Sequence, residues 1–291
     1  MATQYATRTI SAGSIREDIQ RRTITPYLQE ATDLSEKLKD MLRALNTIVR
    51  CIGAPRKYYR LKDIPSTYNQ DSLITLHMNT EPMLVQRFQK AWAIGGELFP
   101  NKAKPMWRTY TCCWAAEQAL HVEGDFVECG VNLGGLSRTI TEYVDFNNVD
   151  KDFYLFDTYR GLDPSQSIKG EEALLAHHNS VYYDCYEEAK ANFKDFPRCR
   201  LVRGTVPGSL TQVDIAKVAY LSIDMNCTVP EVEALRHFWP KLSPGAIVVL
   251  DDYGWVAHHL QKKGIDEFMK TTGVGVLTLP TGQGLIVKPP K

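Results

Sequence analysis

The sequence predicts an α/β fold: a mostly parallel sheet with an antiparallel C-terminal hairpin strand, preceded by a helical N-terminal extension. Three observations carry that expectation. The first is a run of strand, glycine turn and helix, Asp125-Phe-Val-Glu-Cys-Gly-Val-Asn-Leu-Gly-Gly135. An α/β sheet accepts a nucleotide-like ligand at such a turn, beyond the carboxyl end of its first strand. The second is the rhythm that follows. Apolar runs at 125–129, 153–157, 200–203, 218–224 and 246–252 alternate with helical patterns near 135–145, 184–195, 229–239 and 256–272. The third is the end of the chain, where Val274-Gly-Val-Leu-Thr-Leu-Pro and Leu285-Ile-Val-Lys flank a Thr-Gly-Gln-Gly turn, the pattern of a hairpin.

The elements before the sheet are expected to be helical. Asp33-Leu-Ser-Glu36 reads as a capping box, and Leu34, Leu38, Met41, Leu45, Ile48 and Ile52 follow at helical spacing until Gly53 and Pro55 stop them. This stripe either packs on its own domain or forms a homodimer. Residues 1–28 read as an arm and 54–79 as irregular. A second helix is expected from a Thr80 cap, with Pro82 in its first turn, Phe88 and Trp92 facing inward, and Gly95-Gly96 at its end. A third is expected over 107–121. The division is therefore 1–104, an extension serving as arm, dimerisation element or lid, and 105–291, a ligand-binding domain.

Composition narrows the function classes. The chain has 291 residues, 44% hydrophobic, enough for a sizeable core, and its 34 basic and 34 acidic residues cancel. Nothing pulls it toward nucleic acid or an anionic membrane surface, and neither is expected as a partner. No run of about 18 apolar residues occurs, and the first ten residues lack the apolar core of a signal peptide. The seven cysteines are scattered without metal-ligand spacing, and read as reduced thiols of a cytoplasmic protein.

The chemistry-bearing positions lie at the strand ends. A nicotinamide-binding turn requires glycine where Glu128 stands. A carboxylate there repels a pyrophosphate and suits a ligand with a cationic or donor-rich end, such as the amino-acid end of S-adenosylmethionine. Gly130 and Gly134 let the backbone approach that ligand. Asp157, at the tip of the next strand, is placed to accept hydrogen bonds from ribose hydroxyls, or to organise the turn. The later strands run into Asp224-Met-Asn226 and Asp251-Asp252. Three clustered carboxylates either cap the helices that follow or hold a hard divalent cation such as Mg²⁺.

Gly124-Asp-Phe-Val-Glu-Cys-Gly-Val131, Phe156-Asp-Thr-Tyr-Arg-Gly-Leu162, Trp239-Pro-Lys-Leu-Ser-Pro-Gly245 and Val249-Leu-Asp-Asp-Tyr-Gly254 resemble the macrocin O-methyltransferase (TylF/MycF-type) family over about residues 105–291. The resemblance implies a class I methyltransferase (Rossmann-like) sheet and S-adenosylmethionine-dependent methylation of a hydroxyl on a small molecule of sugar or polyketide type. It also implies Mg²⁺ on Asp224, Asp251 and Asp252. Ser137, Thr158 and Asp224 join Glu128, Gly130, Gly134 and Asp157 as expected cofactor-binding residues. One position departs from the family: its second acid after the fourth strand, the catalytic base, is Asn226 here. An amide orients a hydroxyl but does not take its proton. Either His258 or His259 is the base, or metal polarisation suffices, or the chain binds the cofactor without methylating. A nicotinamide oxidoreductase is the more distant alternative. The segment 163–184, with His177, His178, Tyr182 and Tyr183, reads as a lid or a surface excursion. Trp107 and Arg108 read as substrate-gating or packing residues, and the glycine-rich turn after Leu279 as facing the acceptor.

Overall fold

The computed structural model describes residues 66–76, 78–100 and 105–290. The arm and the Leu34–Ile52 stripe, with the dimer it suggested, lie outside the described residues. Pro65–Lys291 form one compact unit. Among the described residues no helix is long and apolar enough to cross a membrane.

The stretch expected to be irregular contains an antiparallel hairpin, β1 (Ser66–Gln70) and β2 (Leu73–Leu76). Asp71 and Ser72 join the strands with φ of 52° and 58°. Two positive φ values in a two-residue loop are what a right-twisted hairpin needs, and glycine or asparagine usually supplies them. With Asp-Ser in their place the turn gives no sequence signal.

The expected second helix is split into α1 (Glu81–Leu84) and α2 (Gln86–Gly95) by an extended Val85, φ −60° and ψ 133°. Thr80 makes no cap bond; Asn79 Oδ1 accepts from the Glu81 amide at 2.9 Å instead. Phe88 and Trp92 are buried as expected. The next helix, α3, covers Met106–Ala119.

The sheet begins with β3 (Asp125–Cys129), followed by α4 (Gly135–Tyr143) and β4 (Phe153–Asp157). The long connection carries a short helix, α5 (Glu172–Asn179), before α6 (Tyr186–Asn192) and β5 (Cys199–Arg203). Then come β6 (Val218–Ile223), α7 (Thr228–Phe238), β7 (Leu242–Leu250), α8 (His259–Thr272), β8 (Leu277–Thr278) and β9 (Gly284–Val287). The strand order is β5-β4-β3-β6-β7-β9-β8. The first five strands pair in parallel, and β9 runs antiparallel to both β7 and β8. The chain winds outward from β3 to β5, then returns to place β6 on the other side of β3. That reversal opens a crevice beyond the carboxyl ends of β3 and β6.

Side chains alternate between the sheet's two faces with period two. Phe126, Phe153, Leu155, Tyr220 and Val249 join Phe88 and Trp92 in one apolar cluster. Val127, Phe156, Leu221, Ile223 and Val248 join Phe238, Ile265 and Met269 in the other. Strands buried on both sides read as continuous apolar runs, which is how they were legible.

Candidate active site

The turns after β3, β4, β6 and β7 wall a cavity of about 340 Å³. Backbone bonds carry the ladder past the strand ends: Gly130 N to Phe156 O at 2.8 Å, Asp224 N to Cys129 O at 2.8 Å and Asp251 N to Ile223 O at 3.0 Å. Glu128, Gly130, Asp157, Thr158, Asp224, Asn226, Asp251, Asp252 and His258 all border the cavity, whereas Gly134 and Ser137 do not.

The two glycines do different things. A Cβ on Gly130, at φ 92°, would stand 1.8 Å from the Asp224 carbonyl oxygen, so glycine is what allows the β3 and β6 turns to touch. Gly134 is the N-cap of α4 at φ 93°, and a Cβ there would meet the Phe193 ring at 2.5 Å. Its open side is filled by an aromatic ring.

Glu128 is buried and its Oε2 has no hydrogen-bond partner. Burial pushes its carboxyl well above the ordinary range; Asp251 and Asp157 add to the rise, and the adjacent Ser137 hydroxyl, itself otherwise unpartnered, opposes it. A buried carboxylate oxygen without a donor is costly, and a cationic or donor ligand in the cavity relieves that cost. Ser137 touches this arrangement through Glu128 from behind the wall.

Asp157 is differently placed. Its Oδ2 accepts from the Val131 and Asn132 amides at 2.6 and 2.7 Å, and its Oδ1 from the Tyr159 amide at 2.7 Å. The Thr158 hydroxyl is 3.3 Å from Oδ1 but closer, at 2.5 Å, to the Gly161 carbonyl, which takes its single proton. A carboxylate has about four lone-pair positions. Asp157 thus organises the loops after β3 and β4 and keeps one position open, enough for one ribose hydroxyl rather than two.

Asp224, Asp251 and Asp252 each present an oxygen, all within 4.8 Å of one another. Burial raises Asp224 well above the carboxylate range, with Asp251 and Asp252 adding to it. Burial likewise pushes Asp252 up to about 6, opposed by His258 and aided by Asp251. Asp252 Oδ2 has no hydrogen-bond partner. Three oxygen donors of one sign, one of them without a hydrogen bond and 3.5 Å from His258 Nδ1, fit a hard divalent cation.

Sequence reasoning named Arg108 and the turn after Leu279 but did not connect either with these acids. Gln283, on the turn after Leu279, donates Nε2 to Asp251 Oδ1 at 2.9 Å and is fully buried. That turn therefore packs behind the acids instead of facing an acceptor, correcting the expectation for it. Arg108 hydrogen-bonds Asp251 Oδ2 through Nη1 and Asp71 Oδ2 through Nε at 2.8 Å, and its Nη1 is 3.7 Å from Asp252 Oδ1. Burial alone would lower the Arg108 pKa, but Asp251, Asp71 and Asp252 raise it, so it stays a cation. Gln283 and Asp71 lie far from the acids in sequence, and no motif links them.

His258 is buried at the cavity wall, whereas His259 is exposed and away from it. His258 Nδ1 bonds Gln261 Oε1, and Gln261 Nε2 donates to Glu231 Oε1 at 3.0 Å. Glu231 Oε1 also accepts the Met225 and Asn226 amides at 3.1 and 3.0 Å, so it acts as acceptor throughout. The Gln261 amide oxygen must then face the imidazole, which places the ring proton on Nδ1 and leaves Nε2 as the acceptor of the neutral ring. Asn226, at φ 55°, donates Nδ2 to Asp224 Oδ1 at 3.1 Å, leaving its own Oδ1 to meet a hydroxyl.

The connection before α6 covers one side of the cavity with Gln166, His178, Tyr182 and Tyr183. His178 stacks on Tyr182 with ring centroids 5.7 Å apart and lies 6.0 Å from His258. Burial, with His258 and His177 beside it, pushes His178 down to about 4. His177 is exposed. Glu171 anchors this segment by accepting the Thr228 amide at 3.0 Å.

The sequence profile of the macrocin-O-methyltransferase (TylF) family matches residues 45–276. The chain is 29% identical over 143 residues to the demethyldecarbamoylnovobiocin O-methyltransferase of Streptomyces niveus. It is 26% identical over 140 residues to the 8-demethyl-8-(2,3-dimethoxy-alpha-L-rhamnosyl)-tetracenomycin-C 4'-O-methyltransferase of Streptomyces olivaceus. These matches cover 46% and 45% of this chain and 54% of each relative, so the chain spans about half the length of the curated relatives it matches. The solved structure of the O-methyltransferase NovP superposes with a TM-score of 0.57 at 23% identity, over 65% of this chain and 82% of that one, and supports the fold. With its class I sheet and a profile match over most of its length, the chain belongs to the macrocin O-methyltransferase family.

Proposed function

We propose that the protein is an S-adenosylmethionine-dependent O-methyltransferase, Mg²⁺-assisted, acting on a hydroxyl of a sugar or polyketide-type small molecule. The observation that carries this reading is the unpartnered Glu128 Oε2 at the head of the cavity. It offers an acceptor to the cofactor's ammonium group, and a pyrophosphate would be repelled from the same place, which argues against a nicotinamide dinucleotide. Asp157 accepts one ribose hydroxyl while its other positions hold the loops. S-adenosylmethionine supplies the methyl group, and the cavity's task is to align an acceptor oxygen with it. The six described cysteines are free, which accords with a reducing, cytoplasmic setting.

Asp224, Asp251 and Asp252 are the residues that would hold Mg²⁺, which when bound lowers the pKa of a coordinated hydroxyl. His258 Nε2 accepts the hydroxyl proton, and Asn226 Oδ1 orients the hydroxyl. This assignment gives Asn226 a positioning role and moves the base to another element. The test is S-adenosylhomocysteine release against a panel of sugars and catechols, with Mg²⁺ and with EDTA. Turnover that falls in EDTA is expected; turnover indifferent to EDTA removes the metal role.

Asn226→Asp discriminates this reading from a family member that binds the cofactor without catalysis. If His258 is the base, the variant changes kcat by less than about tenfold, because a second base adds little to one already placed. A native chain inactive on every acceptor, with a variant that turns over, supports the non-catalytic alternative.

A pH dependence also follows. Asp252 titrates near 6, above its ordinary range, and its protonated form is no ligand for a cation. Mn²⁺ affinity, measured by titration of the full chain, is expected to fall as pH drops through about 6. Affinity unchanged between pH 7.5 and about 5 places the ion elsewhere.

A further inference from the structure

We propose that Arg108 is a resident cation of the Asp224, Asp251 and Asp252 cup, competing with a divalent ion for Asp251 and setting how strongly the cup takes one. The inference rests on the reading of this cup as a divalent-ion site. Both oxygens of Asp251 already have donors, Gln283 Nε2 on Oδ1 and Arg108 Nη1 on Oδ2. Asp252 Oδ2 has no hydrogen-bond partner, its nearest ring nitrogen being His258 Nδ1 at 3.5 Å, and Asp224 carries only the Asn226 amide on Oδ1. An ion in the cup therefore finds Asp224 free of any cation and Asp252 only flanked, by Arg108 Nη1 at 3.7 Å and His258 Nδ1 at 3.5 Å, but meets a directly bonded guanidinium on the third carboxylate. Arg108 has somewhere to go: its Nε is held at 2.8 Å by Asp71, a residue of the β1–β2 turn outside the cup. The side chain projects from α3 and is held by that hairpin through Asp71, with the Trp255 ring 5.6 Å away. When an ion takes Asp251, the guanidinium is retained by Asp71 and stays buried with a partner. The four acids and one arginine balance only in part, which leaves the cup receptive to a divalent ion but at reduced affinity.

The test is Mn²⁺ binding to the full chain, followed by the electron paramagnetic resonance of free Mn²⁺, without cofactor or acceptor. Arg108→Gln is expected to bind at least about tenfold tighter than the unchanged protein, because a like charge within a few ångströms is removed. Arg108→Lys keeps the charge and is expected to stay within about threefold. Adding Asp224→Asn to Arg108→Gln is expected to abolish the gain, which locates it in the cup. Where Arg108→Gln alone does not fold, Mn²⁺ is expected to recover its helical circular dichroism, since the ion replaces the lost counter-charge. Three results overturn the inference. Equal or weaker Mn²⁺ affinity in Arg108→Gln, with Asp224-dependent binding in the unchanged protein, does so while the metal reading stands. Absence of Mn²⁺ binding in both proteins removes the metal reading as well. An unfolded Arg108→Gln that Mn²⁺ does not recover also overturns it.

Discussion

Replacing Gly130 by alanine is expected to destabilise the protein by about 3 kcal/mol or more. Two costs combine. The φ of 92° is one that an L residue adopts only with strain, and the added Cβ would lie 1.8 Å from the Asp224 carbonyl oxygen. That oxygen is backbone and has no rotamer by which to escape. Relief requires β3 and β6 to part where Asp224 N meets Cys129 O at 2.8 Å. The same movement shifts Asp224 away from Asp251 and Asp252, so cation affinity is expected to fall with stability. Gly208→Ala is the control, since a Cβ there has nothing within 4 Å. Urea unfolding measures both. A Gly130→Ala loss under about 1 kcal/mol would mean that the two turns do not touch as described.

His258→Ala is expected to lower kcat by about 10²–10⁴-fold, the usual worth of a positioned base. The KM for S-adenosylmethionine is expected to stay near its original value, because Glu128 and Asp157 are untouched. Gln261→Leu is the more telling companion. It removes the acceptor that holds the proton on Nδ1 without removing the imidazole, so kcat is expected to fall by a smaller factor. The ring's nitrogen chemical shifts are then expected to change from a single Nδ1-protonated form to a mixture. If His258→Ala keeps full turnover in Mg²⁺, cation polarisation alone frees the acceptor oxygen and the histidine is structural.

The fold was legible because a parallel sheet buried on both faces must be written as apolar runs. Val218–Ile223 is buried at every position, and apart from Ser222 and the Tyr220 hydroxyl it is written as an apolar run. The acids after those runs were legible for the complementary reason: a carboxylate at the end of such a run interrupts the pattern. Where the interruption was ordinary, nothing showed. Gln283 and Glu231 look like surface residues in sequence, yet both are buried and each holds functional groups in place. The β1–β2 turn was invisible because Asp71 and Ser72 take positive φ without glycine. Arg108 stood out only by its position before the sheet, and its partners come from two distant turns. Asp157 shows how a correct location can carry an incomplete role: its strand-tip position was readable, but the three backbone amides that occupy most of its carboxylate were not.

In the proposed function, the unpartnered Glu128 Oε2 receives the amino-acid end of S-adenosylmethionine. Calorimetric titration of the full chain with S-adenosylhomocysteine and, separately, with NAD and NADP tests it most directly. Micromolar affinity for S-adenosylhomocysteine is expected, weakened by at least about tenfold in Glu128→Gln, where a charge-assisted bond becomes a neutral one. Affinity for NAD or NADP with none for S-adenosylhomocysteine, or S-adenosylhomocysteine binding indifferent to Glu128→Gln, would contradict it.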